Sequence, residues 1–524
     1  MKDDRGEMRQ MENKKVKRGH IFYLVLFILF IFILSFLSFS LVWVSDHYGN
    51  VSFDEIVFHL RMPLQGTSMQ FIKSFLDTAL KPSLYTAIEL SAGILLFRSA
   101  FLTFTKTKFL WLQYTNILRR SGVLAITIWT AILLVYAQEK TGFFNYIWNS
   151  ITTSSLIEEE YVNPKNVKIS FPRNKKNLIY IFVESAETSA QDVLSGGLLP
   201  HNLIPEMTQI AEDNISFSQS EKIEGAAVAP ECGWTIAGMV SENAGLPLKL
   251  FEDGRNSMSD YDSFMPGIIT MGDILLDQGY KNVFMAGSDF IFGGRELFYR
   301  SHGNYEILDY KAAVEQGIIP ETYYEWWGFE DEILYKWARK KLLEMADGDQ
   351  PFNFSMLTAD THHEDGYICS LCRQEYDDQY SNVWRCASRQ LADFIEWLEE
   401  QSFYKDTVIV ISGDHCSMDK DFYAEYDYNV ADGETERKVY NAFINAQIEP
   451  LQEMNRLFTT MDLFPSTLAA MGCKIEGERL GLGTNLFSGE KTLAEKYGYQ
   501  RLFSGMKKRS PFYDREILSG GSER

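Results

Sequence analysis

An apolar segment near the N-terminus restricts what this chain can fold into more than any other feature of its sequence. Residues 21–45 (IFYLVLFILFIFILSFLSFSLVWVS) contain no charged side chain. At roughly 1.5 Å per residue, a helix of this length crosses a hydrocarbon core of about 30 Å. The apolar run is longer than that of a cleavable signal peptide, and it has no small-residue cleavage site. The sequence therefore predicts a retained transmembrane helix.

Two further apolar segments, about 84–103 and about 121–138, are candidates for a second and a third span. The first of them contains Glu89 and Arg98, so a pair of buried or interfacial helices is the alternative to spanning. Hydropathy favours spanning for both segments. The residues between the first two spans, 46–83, mix apolar and polar side chains at helical spacing, which is typical of a segment at the outer membrane interface.

Basic residues around the apolar segments predict the orientation of the chain. Four precede the first span and four follow the second: Lys14, Lys15, Lys17, Arg18, Lys106, Lys108, Arg119 and Arg120. By the positive-inside rule both groups are cytoplasmic. Three crossings then leave everything after residue 138 outside the cytoplasmic membrane.

The overall charge restricts the partners of the outer portion. A formal net charge of −21 argues against a nucleic-acid partner, because phosphate backbones are bound by Lys and Arg. An anionic substrate would need a local positive centre, such as a metal ion.

All six cysteines follow residue 138, where disulfides can persist. Cys369 and Cys372 form one CxxC motif, but no second pair stands at zinc-ribbon spacing, which argues against a structural zinc site. A disulfide between Cys372 and Cys386 that closes a loop is the favoured alternative.

Changes in pattern divide the chain into five segments. These are a basic cytoplasmic tail (1–20), a membrane domain (21–138), a connector (139–170), an outer domain (171–490) and a C-terminal tail (491–524). In the outer domain, short apolar runs predict buried strands at 177–185, 281–289, 351–360 and 406–414. Helix candidates lie between them, at 331–346 and 387–401. This alternation predicts an α/β fold with a central, mostly parallel sheet.

The predicted strands end in residues that can bind a metal or a substrate. These are Glu184, Asp289, Asp360 followed by His362 and His363, and Asp414 followed by His415. In parallel sheets the ligand site lies beyond the carboxyl ends of the strands. Any one of these residues could be a simple cap or loop residue, but four strands that end this way indicate a functional site.

Two carboxylates and one imidazole, Glu184, Asp414 and His415, suit Zn²⁺ or Mn²⁺ better than Ca²⁺. The segment 225–248 predicts a loop that enters a helix near Trp234, with small residues that permit close approach. A hydroxyl in the first turn, that of Thr235, would lie beside N–H groups that favour an anionic phosphate. Thr235 is therefore either a nucleophile or a helix cap.

Several stretches of the outer domain carry a family resemblance. They include IYIFVES (179–185), GWTIAGMVSENAGLPL (233–248), DTHHEDGYI (360–368) and DTVIVISGDH (406–415). Most of residues 171–490 resembles the sulfatase-like branch of the alkaline phosphatase superfamily. Within that branch the chain is most similar to the group of lipoteichoic acid synthases and periplasmic glucan phosphoglycerol transferases I. The resemblance implies a sulfatase-like catalytic domain outside a bacterial cytoplasmic membrane, preceded by about three transmembrane helices.

The resemblance also implies roles for individual residues. One divalent metal, with Mn²⁺ favoured and Zn²⁺ as the alternative, would be bound by Glu184, Thr235, Asp414 and His415. Thr235 would be the nucleophile, and His363 would bind the phosphate or protonate the leaving alkoxide. Substrate-binding roles are implied for Arg295, Trp327 and Asp331.

The implied reaction moves glycerol phosphate from phosphatidylglycerol in the outer leaflet to a glycan or polymer acceptor through a phospho-threonine intermediate. A phosphoethanolamine transferase, or a phosphodiesterase that uses water as acceptor, is the alternative. A true sulfatase would need a cysteine or serine in a CxPxR-type context, and the residues after Cys232 lack that context. A non-catalytic membrane scaffold is the reading with least support.

Overall fold

The computed structural model describes residues 3–48, 51–61, 69–104, 108–249, 263–419, 422–423 and 437–521. The chain forms two compact units. The first comprises Met1–Ser52 and Thr67–Phe144, and the second comprises Phe53–Gly66 and Asn145–Arg524.

The N-terminal part of the chain is helical. Its helices are α1 (Asp3–Tyr48), α2 (Phe53–Arg61), α3 (Met69–Phe75), α4 (Lys81–Phe104) and α5 (Lys108–Thr141), with a π-helical turn at Leu76–Leu80. Helix α2 falls in the second unit, although it lies between helices of the first in the sequence.

Two stretches of the described helices are long and apolar enough to cross a membrane, Val25–Tyr48 in α1 and Arg120–Thr141 in α5. They coincide with the spans predicted at 21–45 and 121–138. The remaining predicted span, 84–103, lies in α4, and part of the side chains of α4 fall outside the described residues. All three crossings therefore stay predictions.

The second unit is built on a central sheet of six strands. The strands of this unit are β1 (Ile169–Ser170), β2 (Asn177–Val183), β3 (Lys281–Ala286), β4 (Glu306–Leu308), β5 (Phe352–Leu357), β6 (Thr407–Gly413), β7 (Asn441–Ile444), β8 (Lys474–Ile475), β9 (Arg479–Leu480) and β10 (Gly483–Thr484). The central sheet has the order β4-β3-β5-β2-β6-β7. Five of its strands are parallel, and β7 pairs antiparallel with β6 at the edge. The predicted α/β fold with a mostly parallel sheet is confirmed.

Both faces of the sheet are buried, which explains the continuous apolar runs in its sequence. In β2, Ile179 and Ile181 point into one hydrophobic core, while Tyr180 and Phe182 point into the other. The parallel register sets Ile181 beside Met356 of β5 and Ile411 of β6. The carboxyl ends of these three strands therefore lie side by side.

The remaining helices begin at residue 143, and several of them cover the two faces of the sheet. They are α6 (Phe143–Ile151), α7 (Leu156–Glu160), α8 (Pro205–Asp213), α9 (Thr235–Ala244), α10 (Met271–Asp277), α11 (Arg295–Ser301), α12 (Tyr310–Glu315), α13 (Asp331–Ala346), α14 (Gln379–Glu399), α15 (Leu463–Ala470), α16 (Leu493–Tyr497) and α17 (Tyr499–Lys507). Helix α13 has the predicted bounds. Helix α14 begins at Gln379 instead of residue 387, because the Asp378 carboxylate caps it by accepting from the N–H of Ser381 at 2.8 Å.

The residues after 490, for which the sequence predicts a tail, are folded against the second unit. Helices α16 and α17 lie here, and Leu502 and Met506 of α17 are buried in the hydrophobic core. These two residues stand four apart, so they lie on one helical face. The C-terminal segment is therefore part of the domain. The larger segment of the second unit likewise begins within the predicted connector, at Asn145.

The cysteines also differ from the expectation. All six are free thiols, so the predicted disulfide between Cys372 and Cys386 is not formed. Cys386 lies inside α14, with its sulfur 3.7 Å from that of Cys369.

Candidate active site

Three predicted metal ligands meet at the carboxyl end of the sheet. Glu184 directly follows β2, and Asp414 and His415 directly follow β6, the strand paired with it. All three are buried, with exposures of 2%, 0% and 1%. One ligand atom from each lies within 4.8 Å of the others.

The distances within this cluster have the scale of a metal coordination shell. The Nε2 atom of His415 lies 3.4 Å from Oε1 of Glu184 and 3.4 Å from Oδ2 of Asp414. It also lies 3.4 Å from Oγ1 of Thr235. Tetrahedral ligands about 2.1 Å from one ion are separated from each other by about 3.4 Å. The four side chains thus fit a single divalent cation.

Neighbouring groups orient the ligands. Ser185 donates its backbone N–H to Oδ1 of Asp414 and its hydroxyl to Oε1 of Glu184, both at 2.9 Å. Nδ1 of His415 lies 2.8 Å from the carbonyl oxygen of Cys416, which can only accept, so in the neutral ring Nε2 presents its lone pair to the site. Ser185 has a φ of 58°, a conformation uncommon for residues other than glycine, and this turn aims its two donors at the ligands. The sequence gives no signal for Ser185 beyond its position after Glu184.

The electrostatics of the cluster favour a cation. Burial and the neighbouring Glu184 raise the pKa of Asp414 above its usual value. Burial alone would lower the pKa of His415, but Asp414 and Glu184 outweigh it and raise this pKa. Oδ2 of Asp414 is fully buried and accepts no hydrogen bond from the described residues. A buried carboxylate oxygen of this kind is what a bound metal ion would satisfy.

Thr235 stands at the start of α9 with its hydroxyl in the cluster. The N-cap residue is Trp234, whose side chain makes no capping bond, so Thr235 is the first helical residue and not the cap. The N-terminus of α9 therefore faces the site, where its N–H groups and dipole favour an anionic ligand. Gly238 allows this approach, because a Cβ at that position would lie 1.9 Å from the carbonyl oxygen of Asp414.

The histidines after β5 lie at the same end of the sheet. His363 is buried, and its ring stacks on that of His362 with centroids 4.4 Å apart. Trp327 packs against His362 at 4.8 Å and against Phe292 at 5.9 Å. These side chains form an aromatic wall beside the histidines.

Arg295, at the start of α11, is buried and held by protein oxygens. Its Nη2 donates to Oγ of Ser288 at 3.1 Å and to the carbonyl of Asp289 at 2.9 Å, and its Nε donates to the carbonyl of Phe292 at 3.1 Å. Burial lowers the pKa of Arg295, and the charge of Glu184 opposes that shift. The guanidinium is therefore fixed close enough to the cluster to feel its charge.

Asp331, for which the resemblance implies a substrate-binding role, is hydrogen-bonded to the segment after β5. Its two carboxylate oxygens accept from the N–H groups of Ala359 and Asp360, at 2.7 and 3.1 Å. Its own N–H donates to Oδ1 of Asp360 at 3.1 Å. Asp331 therefore holds the segment that leads from β5 to His362 and His363.

Helix α2 is a contributor that the sequence did not reveal. Phe58 is buried, with its ring 5.4 Å from that of Trp234, the residue before Thr235. The ring of His59 lies 6.4 Å from that of Phe292. The predicted interfacial segment 46–83 thus supplies one helix to the second unit beside the site. Only the helical spacing of its apolar residues could have suggested this.

Comparisons with known proteins are consistent with this architecture. Residues 176–473 match the family model described as Sulfatase. The phosphoglycerol transferase I of Escherichia fergusonii is 36% identical over 256 residues, which are 48% of this chain and 32% of that protein. The phosphoglycerol transferase I of Salmonella paratyphi B is 34% identical over 255 residues, with the same two shares of 48% and 32%. The match thus spans about a third of the length of these curated relatives.

The solved structures similar to this chain include a lipoteichoic acid synthase and a phosphoethanolamine transferase. The lipoteichoic acid synthase LtaP from Listeria monocytogenes is 19% identical, with a TM-score of 0.47, and the match covers 64% of this chain and 82% of that one. The lipooligosaccharide phosphoethanolamine transferase A from Neisseria meningitidis is 13% identical, with a TM-score of 0.46 and coverages of 85% and 84%.

Proposed function

Because the chain belongs to the sulfatase family, as its motifs predict and as the match over residues 176–473 shows, we propose that it is a metal-dependent transferase of substituted phosphate groups. One observation carries this proposal. The hydroxyl of Thr235 lies at the N-terminus of α9 and 3.4 Å from Nε2 of His415, inside a cluster of two buried carboxylates and an imidazole. A hydroxyl, a cation site and a helix N-terminus together are suited to attack on phosphorus.

The donor in this proposal is phosphatidylglycerol in the outer leaflet of a bacterial cytoplasmic membrane, and the acceptor is a hydroxyl of a glycan or polymer. The curated relatives named phosphoglycerol transferase I support this assignment. The two apolar stretches Val25–Tyr48 and Arg120–Thr141 would keep the enzyme at the membrane that contains the donor. The second unit, which contains the Thr235 site and is therefore the catalytic unit, would then lie outside the cytoplasm, as the basic residues around these stretches predict.

The metal in this proposal is one divalent ion, Mn²⁺ or Zn²⁺, held by Glu184, Asp414, His415 and Thr235. A bound ion would lower the pKa of the Thr235 hydroxyl and polarise the phosphoryl oxygens. The carboxylate and imidazole donors suit either ion, and Mn²⁺ is favoured by the family resemblance.

The first half-reaction forms a covalent phospho-threonine. The hydroxyl proton of Thr235 is first lost to solvent, which a bound ion would favour. Oγ1 then attacks the phosphorus of phosphatidylglycerol, the bond to the diacylglycerol oxygen breaks, and His363 donates a proton to the leaving alkoxide. The N–H groups at the start of α9 face the phosphoryl oxygens. Arg295 would bind the same phosphate through Nη1, since Nε and Nη2 already donate to protein oxygens.

The second half-reaction returns Thr235 to its starting form. An acceptor hydroxyl gives its proton to His363 and attacks the phosphorus, and the bond between phosphorus and Oγ1 of Thr235 breaks. The glycerophosphoryl group is then on the acceptor. The wall of Trp327, His362 and Phe292 would exclude water and so favour a glycan hydroxyl over hydrolysis.

Sulfate ester hydrolysis through a modified cysteine has no support here. Cys232 lies three residues before Thr235, but it is completely buried in the hydrophobic core.

The test is intact-mass analysis of the full chain in detergent, after incubation with phosphatidylglycerol and Mn²⁺ and without acceptor. We expect a mass gain of one glycerophosphoryl group that maps to Thr235 and is absent in Thr235→Ala. An adduct formed only from phosphatidylethanolamine would move the assignment to phosphoethanolamine transfer. No adduct from either lipid, in protein with bound metal, would overturn the proposed transferase.

A further inference from the structure

Three cysteine side chains meet at a second place in the catalytic unit. The sulfur of Cys369 lies 3.6 Å from that of Cys372 and 3.7 Å from that of Cys386. The three sulfur atoms all lie within 4.8 Å of one another, and all three residues are free thiols. The transfer reaction proposed above uses none of them.

The spacing of the sulfurs matches a metal coordination shell. Thiolates bound to one Zn²⁺ lie about 2.3 Å from the ion, so the edges of the sulfur tetrahedron are about 3.8 Å long. The observed separations of 3.6 and 3.7 Å are close to this edge. A covalent disulfide would bring two sulfurs to about 2.05 Å and exclude the third from bonding. The arrangement is therefore one face of a tetrahedron whose centre can hold an ion.

The local structure presents the sulfurs on two rigid elements. Cys369 and Cys372 lie in a tight turn, in which the N–H of Cys372 donates to the carbonyl of Cys369 at 3.2 Å. Cys386 lies in α14, one turn before Gln390, so both side chains project from the same helical face. Cys369, Cys386 and Gln390 are buried, whereas Cys372 is partly exposed.

Gln390 stands where a fourth ligand would be needed. Its amide group lies 3.5 Å from the sulfur of Cys386 and 3.7 Å from that of Cys369. A half-turn of the amide exchanges its nitrogen for its oxygen, which then faces the three sulfurs. Water could occupy the same position from the exposed side of Cys372.

We propose that Cys369, Cys372 and Cys386 form a second metal site, in which three thiolates bind a soft divalent ion of the Zn²⁺ class. Its fourth ligand is an oxygen, from the Gln390 amide or from water. Thiolates select Zn²⁺ over Mn²⁺, whereas the carboxylates and imidazole at the Thr235 cluster suit Mn²⁺. The chain would then bind two metals of different character.

The position of the site gives it a structural role. Cys369 and Cys372 are in the segment that follows His363, and Cys386 is in the helix that this segment enters. A metal bound by all three would tie the histidine-bearing loop to α14. With the Gln390 amide as the fourth ligand, the shell is closed by four protein groups, so the ion would hold structure and not react.

The test measures metal content in the full chain, purified in detergent without reductant or chelator. Elemental analysis of zinc and manganese should give one zinc fewer per chain in Cys372→Ser, which replaces the least buried ligand, than in the wild-type chain. The matched control is Cys473→Ser, a buried cysteine outside the cluster, which should keep its zinc. Glu184→Gln should lose the metal of the Thr235 cluster and keep this zinc, so the two sites are distinguished without any activity measurement.

Cobalt substitution provides a second readout. Co²⁺ in a thiolate site gives an intense sulfur-to-metal charge-transfer absorption, which we expect in the wild-type chain and not in Cys372→Ser. If Cys372→Ser fails to fold, Cys386→Ser is the second variant. Zinc content that is equal in the wild-type chain and the cysteine variants would overturn the proposal. A disulfide between any two of Cys369, Cys372 and Cys386, found by peptide mapping without reduction, would do the same.

Discussion

The two ligand clusters of the catalytic unit differ in chemistry and in how the chain assembles them. Glu184, Asp414 and His415 come from two strand ends that lie far apart in sequence, and a helix adds the hydroxyl of Thr235. The cysteine cluster comes from one stretch, residues 369–386. The first combines hard donors with a reactive hydroxyl, whereas the second has only soft donors. The ligand atoms are similarly spaced in both clusters, but the first is suited to catalysis and the second to a structural metal ion.

One segment of the chain bears both the proposed proton donor and two of the three cysteine ligands. His363, the proposed proton donor, stands at one end of the segment between β5 and α14, and Cys369 and Cys372 stand further along it. Asp331 holds the start of this segment through two backbone N–H groups. A metal at the cysteines would fix its other end. We therefore expect substitutions in the first cluster to lower turnover strongly, and substitutions along this segment to lower it less and indirectly.

The largest effect is expected from Thr235→Ala. Removal of a nucleophile typically lowers kcat by ~10³-fold or more, because the remaining groups cannot replace it. We expect this loss in the transfer of labelled glycerol phosphate, with an unchanged melting temperature and unchanged zinc at the cysteines. Thr235→Ser, which keeps a hydroxyl, should retain measurable turnover. Full activity in Thr235→Ala would contradict the role of Thr235 as nucleophile, and with it the view that the first cluster is catalytic and the second structural.

Gly238→Ala should give the next largest effect. The new Cβ would lie 1.9 Å from the carbonyl oxygen of Asp414, so α9 must move away from the strand end that bears the ligands. Such overpacking typically costs ~1–3 kcal/mol, and the shift would also move Thr235 from His415. Thermal unfolding and turnover should both fall.

The control for this substitution is Gly348→Ala. There a Cβ would lie 3.5 Å from the carbonyl oxygen of Met345, an ordinary contact at the surface. Gly348→Ala should therefore leave stability and turnover nearly unchanged. A Gly238→Ala protein with wild-type activity would contradict the close packing of α9 against Asp414.

These positions also show what could be predicted from the sequence. The strand-end rule brought Glu184, Asp414 and His415 together correctly, because parallel strands end at one edge of a sheet whatever their separation in the chain. The place of Thr235 followed from small residues before a helix. In each case a general rule of the fold was enough.

The parts that were missed depend on local details or distant contacts. The sequence predicted α14 from residue 387, and this hid Cys386 and Gln390 as neighbours on one helical face. The cap at Asp378, which extends the helix, has no distinctive pattern around it. The sequence predicted that helix α2 lies at the membrane interface. Its packing against Trp234 could not be predicted, because this contact joins residues far apart in the chain.

Acidic pH should weaken the metal site at Thr235 before it affects the fold. Burial and Glu184 raise the pKa of Asp414, and the two carboxylates raise that of His415 despite its burial. Metal binding requires an ionised Asp414 and a neutral His415, so protons compete with the ion as the pH falls. The apparent Kd for Mn²⁺, from titration of the metal-free chain, should rise steadily on acidification from about pH 8 to about pH 6. A flat or opposite dependence would contradict the assignment of these ligands.

The smallest effect is expected from Asp331→Asn, which perturbs the loop shared by both clusters. An amide can accept from only one of the N–H groups of Ala359 and Asp360, and its own NH₂ would face the other. Loss of one such buried bond typically costs ~1–3 kcal/mol. Turnover should fall only a few-fold, and zinc at the cysteines should dissociate faster into a chelator. Asp347→Asn, the same change at the exposed end of α13, is the control. If Asp331→Asn lowers turnover but leaves zinc release unchanged, the loop does not couple the two clusters.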